Sequence, residues 1–362
     1  VETPFNHHML TLAREARGLT QEELADAINI GQGTLSKYET GMYAAPIEFA
    51  ESATIALGFP IEFFYQPGQP YGFPPFHYRK RKKLSKKALG KIVAEMNIRR
   101  MHIKKLSISF DVPSNRFIPE IDIDEYQGRT KKRPDVEDLS RSVRESWMVP
   151  DGPVGNMVDL LEENGGIVIP CDFGSDLIDA MSQRVDGMPV LFFVNINVPA
   201  DRLRHTLAHE LAHMVLHTVT FKDDEEMERE ADNFAGAFLM PKDEIKTQLR
   251  KFDLRHLANM KGYWKVSMAS IAMRAAFLDL ITPYQQKMFF MEMNRLGIRR
   301  REPNEPAAEH PKMIGRMIEF HRKRLGYSDG DLARLLCLTL AEFHAMYQAN
   351  PTQTRPQLRL VN

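Results

Sequence analysis

His209-Glu210-Leu211-Ala212-His213 sets two imidazoles four residues apart, with a carboxylate between them. On an α-helix such residues share a face one turn apart, so His209 and His213 can hold a single cation. Glu210 then lies beside the cation without binding it, where a general base for a water molecule belongs. Neutral imidazoles suit Zn²⁺ first among the common metals. A bare pentapeptide of this kind also arises by chance on polar helices, so its surroundings must decide.

The same spacing recurs in His205 and His217. His205 to His217 covers three turns, roughly 18 Å at about 1.5 Å per residue, too far for one ion to hold all four. Glu210 singles out the His209–His213 pair. His217 is read as a structural or supporting histidine, because the motif that uses a third histidine places it six residues on, after a Gly turn. A zinc site of this class then needs a third protein ligand and leaves a position for water.

The run from Glu228 to Pro241 supplies that ligand. Ala231, Phe234, Ala235, Phe238 and Leu239 form an apolar face at helical spacing, and Pro241 ends the helix. At about 100° per residue, Glu228 lies roughly 65° from the centre of that face and Glu230 roughly 95°. Glu228 is the expected ligand and Glu230 the alternative. Acids from Asp223 onward favour a helix start. Upstream, Pro189 to Val194 reads as a buried strand, able to hold an extended peptide by edge pairing. Asn197 to Asp201 leads into the histidine helix, with Pro199 in its first turn.

A strand running into such a helix is the layout of zincin peptidases. HELAHMVLH followed by EREADNFAGAFLMP resembles the ImmA/IrrE family of metallo-endopeptidases, with its Glu-x-x-Ala-Asn/Asp ligand helix. Trp147 to Asn156, Gly165 to Pro170, Trp264 to Met268 and Gly297 to Pro303 extend the resemblance over residues 135–303. It implies a gluzincin-like fold, Zn²⁺, and cleavage of a partner protein, often a repressor.

The N-terminal part carries a different signature. Leu10 to Ala25 has helical periodicity on both sides of Gly18, and Thr20 with Glu23 spells a capping box. Ile28 to Gly31 turns the chain, and a helix from Gln32 to Thr40 ends at Gly41 as its C′ glycine. The string resembles the Cro/repressor-type (XRE) helix-turn-helix family. That resemblance implies double-stranded DNA as a partner, with Gln32 and Lys37 facing base edges. Thr34 and Ser36 would lie nearby, and Gln21 would hold a phosphate. Gln reads adenine and Lys reads guanine in the major groove. Gly33 departs from the family pattern, which commonly has a second polar reader there, so modest sequence specificity is expected. A small helical interaction module is the alternative.

Between these parts, Arg79 to Lys105 holds 12 Lys or Arg against one acid, Glu95. Leu89, Ile92, Met96 and Ile103 keep an apolar stripe, so a helix is expected. It could track phosphates or pack on a partner subunit. Near the other end, Gly326 to Leu338 aligns with Gly18 to Ile30 without a gap, and Phe343 answers Leu35. Leu340, Ala341 and Glu342 stand where Gln32 and its neighbours do. An apolar and acidic surface repels DNA, so a protein contact or a homodimer is the role expected there.

The fold expected is mainly α with a small α+β domain. Its parts are a helix-turn-helix bundle (1–68), a basic helical linker (69–134), a gluzincin-like zinc peptidase domain with a small sheet (135–303), and a C-terminal helical bundle resembling a helix-turn-helix (304–362). The 362 residues carry no net charge, and Cys171 and Cys337 are too few for a disulfide framework. With no secretory h-region and no membrane-spanning run, a cytoplasmic setting without membrane contact is expected. The function expected is a DNA-binding regulator that cleaves a repressor, an antitoxin-like partner or itself on a stress or mobile-element signal. The alternative is a transcription factor whose peptidase-fold domain only senses a metal, peptide or small ligand.

Overall fold

The computed structural model describes residues 4–72, 84–112, 117–122, 135–218, 223–299 and 301–348. Two compact units emerge. One collects residues 4–72, 86–111 and 314–348, and the other is built from residues 84–85 and the described residues from 112 to 313.

In the first unit Asn6 caps α1 (His7–Ala16) by accepting from the His8 N–H. Gly18, at φ +64°, reverses the chain. The Thr20–Glu23 capping box then starts α2 (Gln21–Ala27), as its sequence predicts. α3 (Gln32–Glu39) follows, closed by Thr40 with Gly41 at φ +70°. A Cβ on Gly41 would meet the His7 ring at 2.9 Å, so a side chain there is excluded twice over. α4 (Ile47–Leu57) and a 3₁₀ turn (Ile61–Tyr65) complete a bundle around Leu10, Leu24, Leu35, Phe63 and Phe64, all buried. Across it, Arg14 makes a two-pronged bond to Glu39, at 2.5 and 3.0 Å.

The basic segment is helical where described, as α5 (Lys86–Leu106). Ile92, Met96 and Ile103 are buried, and the helix packs on α1. Two of its cations are turned inward: Arg99 pairs with Glu95 at 2.8 Å, and Arg100 lies 3.7 Å from the Tyr71 ring centre. Lys87 pairs with Glu23 at the surface. Arg79 to Lys83 lie outside the described residues.

The second unit opens with α6 (Val136–Ser146) and α7 (Met157–Glu163). β1 (Gly166–Cys171), β2 (Ala180–Gln183) and β3 (Val190–Asn195) form a three-stranded sheet in the order β1-β3-β2. β3 runs parallel to β1 and antiparallel to β2. This corrects one expectation. The strand at 190–195 has both edges paired and cannot take a peptide strand; among the described residues β2 and β1 are the edges. An unbroken apolar run marks a buried strand without telling which neighbours it has.

α8 (Ala200–Leu216) carries the histidine motif and α9 (Asp224–Leu239) packs along it. Ala208, Ala212, Ala231 and Ala235 are fully buried, small residues that let two helices approach closely. Pro199 is the N-cap of α8 and offers no side-chain acceptor. The carboxylate of Glu305 accepts from the Ala200 N–H instead, at 3.2 Å. α10 (Lys242–Gln248), α11 (Leu254–Trp264), α12 (Met268–Phe277) and α13 (Pro283–Arg295) close the unit.

Glu305 belongs to an extended strap that caps three helices from outside. Glu302 accepts from the Met268 and Ala269 N–H groups of α12, and Glu309 from Met157 and Val158 of α7. Each carboxylate meets the positive end of a helix dipole. Buried Lys261 adds bonds to Asp201 and Glu302, and Arg204 pairs with Glu309.

α14 (Met313–Leu325), α15 (Asp329–Leu336) and α16 (Leu340–Tyr347) bear out the repeat read in the sequence. Ser328 and Asp331 form a capping box where Thr20 and Glu23 do. Gly326 at φ +71° answers Gly18, and Cys337 at +54° answers Asn29 at +56°. Glu342 is occupied within the unit by Arg17. Among the described residues no helix is long and apolar enough to cross a membrane.

Candidate metal centre and DNA-contact helix

His209 and His213 stand one turn apart on α8, with their Nε2 atoms 3.1 Å from each other. Glu228, from the second turn of α9, brings Oε2 to 3.7 Å from His209 Nε2 and Oε1 to 3.5 Å from His213 Nε2. A tetrahedral ion with bonds of about 2.0 Å separates its ligand atoms by about 3.3 Å. The three residues form a group that could hold a metal ion.

The protons support the fit. His209 Nδ1 is 2.8 Å from Asp232 Oδ1, and a carboxylate only accepts, so Nδ1 carries the hydrogen. The lone pair of Nε2 then faces the centre. His213 Nδ1 lies 2.9 Å from His217 Nδ1, so one hydrogen is shared between those two rings. A nitrogen lone pair and a carboxylate converging on one point repel each other unless a cation lies between them. Burial disfavours charge on His209, but Asp232, followed by Glu210 and Glu228, outweighs it and raises the pKa. This negative surrounding also suits a cation.

Glu210 is fully buried. The Ser182 hydroxyl, on edge strand β2, donates to Glu210 Oε2 at 2.7 Å and fixes the carboxylate beside the trio. The fold thus gathers His209, Glu210, His213 and Glu228. Glu230 is not in the trio; its Oε2 lies 3.2 Å from His217 Nε2. Sequence reasoning missed Ser182, for a lone serine on a short strand carries no signal. Asp232 was legible only as the last letter of the Glu-x-x-Ala-Asp string.

In the first unit Gln32, Thr34 and Lys37 are exposed along α3, while Ser36 and Gln21 are half-buried. Gln32 Nε2 donates to Gln21 Oε1 at 2.8 Å, and Gln21 Nε2 donates to Glu39 at 2.7 Å. The Arg14–Glu39 pair thereby orients both glutamines. Lys37 extends over the Tyr43 ring, 4.8 Å from its centre.

A helix-turn-helix bundle and a metallopeptidase fold define the class of the chain: a DNA-binding regulator with a peptidase-family domain. The helix-turn-helix family matches residues 10–64, and the IrrE N-terminal-like domain family matches residues 162–276. The chain is thus a fusion of an XRE-type helix-turn-helix with an IrrE-type peptidase domain. No curated protein matches it.

Proposed function

We propose that the chain is a DNA-binding regulator whose second unit is a working zinc endopeptidase acting on a repressor, an antitoxin-like partner or the chain itself. The observation that carries this reading is Glu210, buried and aligned by Ser182 beside a His209–His213–Glu228 group with zinc spacing. Zn²⁺ held there would lower the pKa of a water and polarise a carbonyl. Glu210 takes a proton on the attacking side and returns it to the leaving amine. β2, which carries Ser182, is an edge strand among the described residues, and it rather than β3 would pair with an extended peptide. On DNA, Gln32 and Lys37 read base edges with Thr34 and Ser36 beside them, and Gln21 holds a phosphate.

A second reading rests on a cleft of about 680 Å³ beside the start of α8, lined in part by Arg202, His205, Ser267, Ser270 and Glu302. A ligand there could bias the regulator without hydrolysis. Glu210→Gln separates the two. The amide keeps the side chain's size but cannot take a proton from water at neutral pH. The peptidase reading expects retained metal and DNA affinity, with cleavage reduced about 10²–10⁴-fold and induction lost. A Glu210→Gln strain that induces normally with no cleaved partner would falsify that reading and leave the sensor.

A further inference from the structure

His217 and Glu230 are used by neither reading, yet they stand in line with the centre. His213 Nδ1 and His217 Nδ1 are 2.9 Å apart, and His217 Nε2 is 3.2 Å from Glu230 Oε2. Both imidazoles are buried, and the Glu230 side chain is 14% exposed. We infer that Glu230 and His217 are positioning residues, a carboxylate–imidazole relay that fixes which nitrogen of His213 is free to bind metal. The inference rests on the zinc-site reading and adds two residues to it.

The direction of the relay follows from its closed end. With both rings neutral, one hydrogen lies between the two Nδ1 atoms, and it can belong to either ring. If His217 held it, His217 Nε2 would turn a lone pair toward the Glu230 carboxylate, acceptor against acceptor. His213 would then carry its own hydrogen on Nε2, aimed at His209 and Glu228. If His213 holds it, every contact is satisfied. His213 Nδ1–H donates to His217 Nδ1, His217 Nε2–H donates to Glu230, and His213 Nε2 presents a lone pair to the centre. The negative charge on Glu230 selects this arrangement two hydrogen bonds away. His209 reaches the same state through its direct contact with Asp232. This gives His217 its role, and it places Glu230 in the site without making it a ligand.

The test uses the full chain and Glu230→Gln. A glutamine fills the same space but can donate or accept, so it no longer dictates the direction. With specifically ¹⁵N-labelled histidines, the metal-free wild type should show His213 protonated at Nδ1 and His217 at Nε2, and Glu230→Gln should mix the tautomers of both. Zinc affinity, measured by chelator competition at fixed pH, should fall about tenfold, at the low end of the roughly 10–100-fold cost of losing such an outer partner. Glu230→Asp should recover part of it. His213 protonated at Nε2 in the metal-free wild type would overturn the relay, as would a Glu230→Gln affinity within twofold of wild type. A wild-type chain that took up no zinc would overturn the peptidase reading instead, and the metal-free tautomers would still decide the relay.

Discussion

Glu228 and Asp232 share one face of α9, four residues apart, and do different work there. Glu228 points its carboxylate at both Nε2 atoms, whereas Asp232 meets His209 from behind at Nδ1. One is placed to bind an ion and the other to orient a ligand, so their losses should differ in kind. Glu228→Ala should leave the purified chain with little zinc under conditions that load the wild type fully. Asp232→Asn should still load, with affinity lowered about 10–100-fold. Elemental analysis after dialysis against graded chelator ranks them. If Asp232→Asn lost metal as readily as Glu228→Ala, the division between ligand and orienting partner would be wrong.

Helices announced themselves where local chemistry sets them, in the Thr20–Glu23 box, the Gly41 stop and the α9 stripe. Much of the candidate site was legible for the same reason, since His209, Glu210 and His213 lie within five residues. What stayed hidden depends on partners far along the chain. The pairing of β3 on both edges, Ser182 against Glu210, and Glu305 at the start of α8 leave no local periodicity. α5 shows the limit well: its apolar stripe predicted a helix, but its composition hid which cations are buried. His102 is an example with a consequence. It is 1% exposed on α5, with Nδ1 2.6 Å from the Tyr347 hydroxyl of α16. Burial first, then Arg99 and Lys105, hold its pKa well below the usual histidine value. The folded state therefore binds this proton less readily than the unfolded chain. The stability that the neutral ring contributes is complete above about pH 6.5 and is lost as pH falls below it, by at most about 1.4 kcal/mol per unit. Hydrogen exchange of α16 amides, corrected for intrinsic rates, should show protection falling from pH 7 to 5.5. His102→Gln should flatten that dependence; an unchanged slope would assign it to other groups.

Over the whole molecule 48 basic residues balance 48 acidic ones, so net charge predicts nothing about DNA. Distribution does. α5 spends Arg99 on Glu95, Arg100 on the Tyr71 ring and Lys87 on Glu23, which weakens the case for that helix as a phosphate rail. The run Arg79 to Lys83 holds five consecutive cations and is the better source of sequence-independent attraction. Specificity must come from elsewhere, and Gln32, exposed and oriented by Gln21, is placed to supply it. Base contacts and phosphate contacts scale differently with salt, so the two contributions can be separated on the full chain. On a duplex selected by the wild type from a random pool, Gln32→Ala should cost about 1–3 kcal/mol and relax the preference at one position. Its slope of log affinity against log salt should match wild type, because no phosphate contact is lost. Neutralising Arg79, Lys80, Arg81, Lys82 and Lys83 together should weaken selected and scrambled duplexes alike. The slope should flatten by about 0.9 for each phosphate released, up to about 4.5 in all. If the charge change altered sequence preference while Gln32→Ala left both slope and preference untouched, the reading of bases would have to be moved from α3 to the basic run.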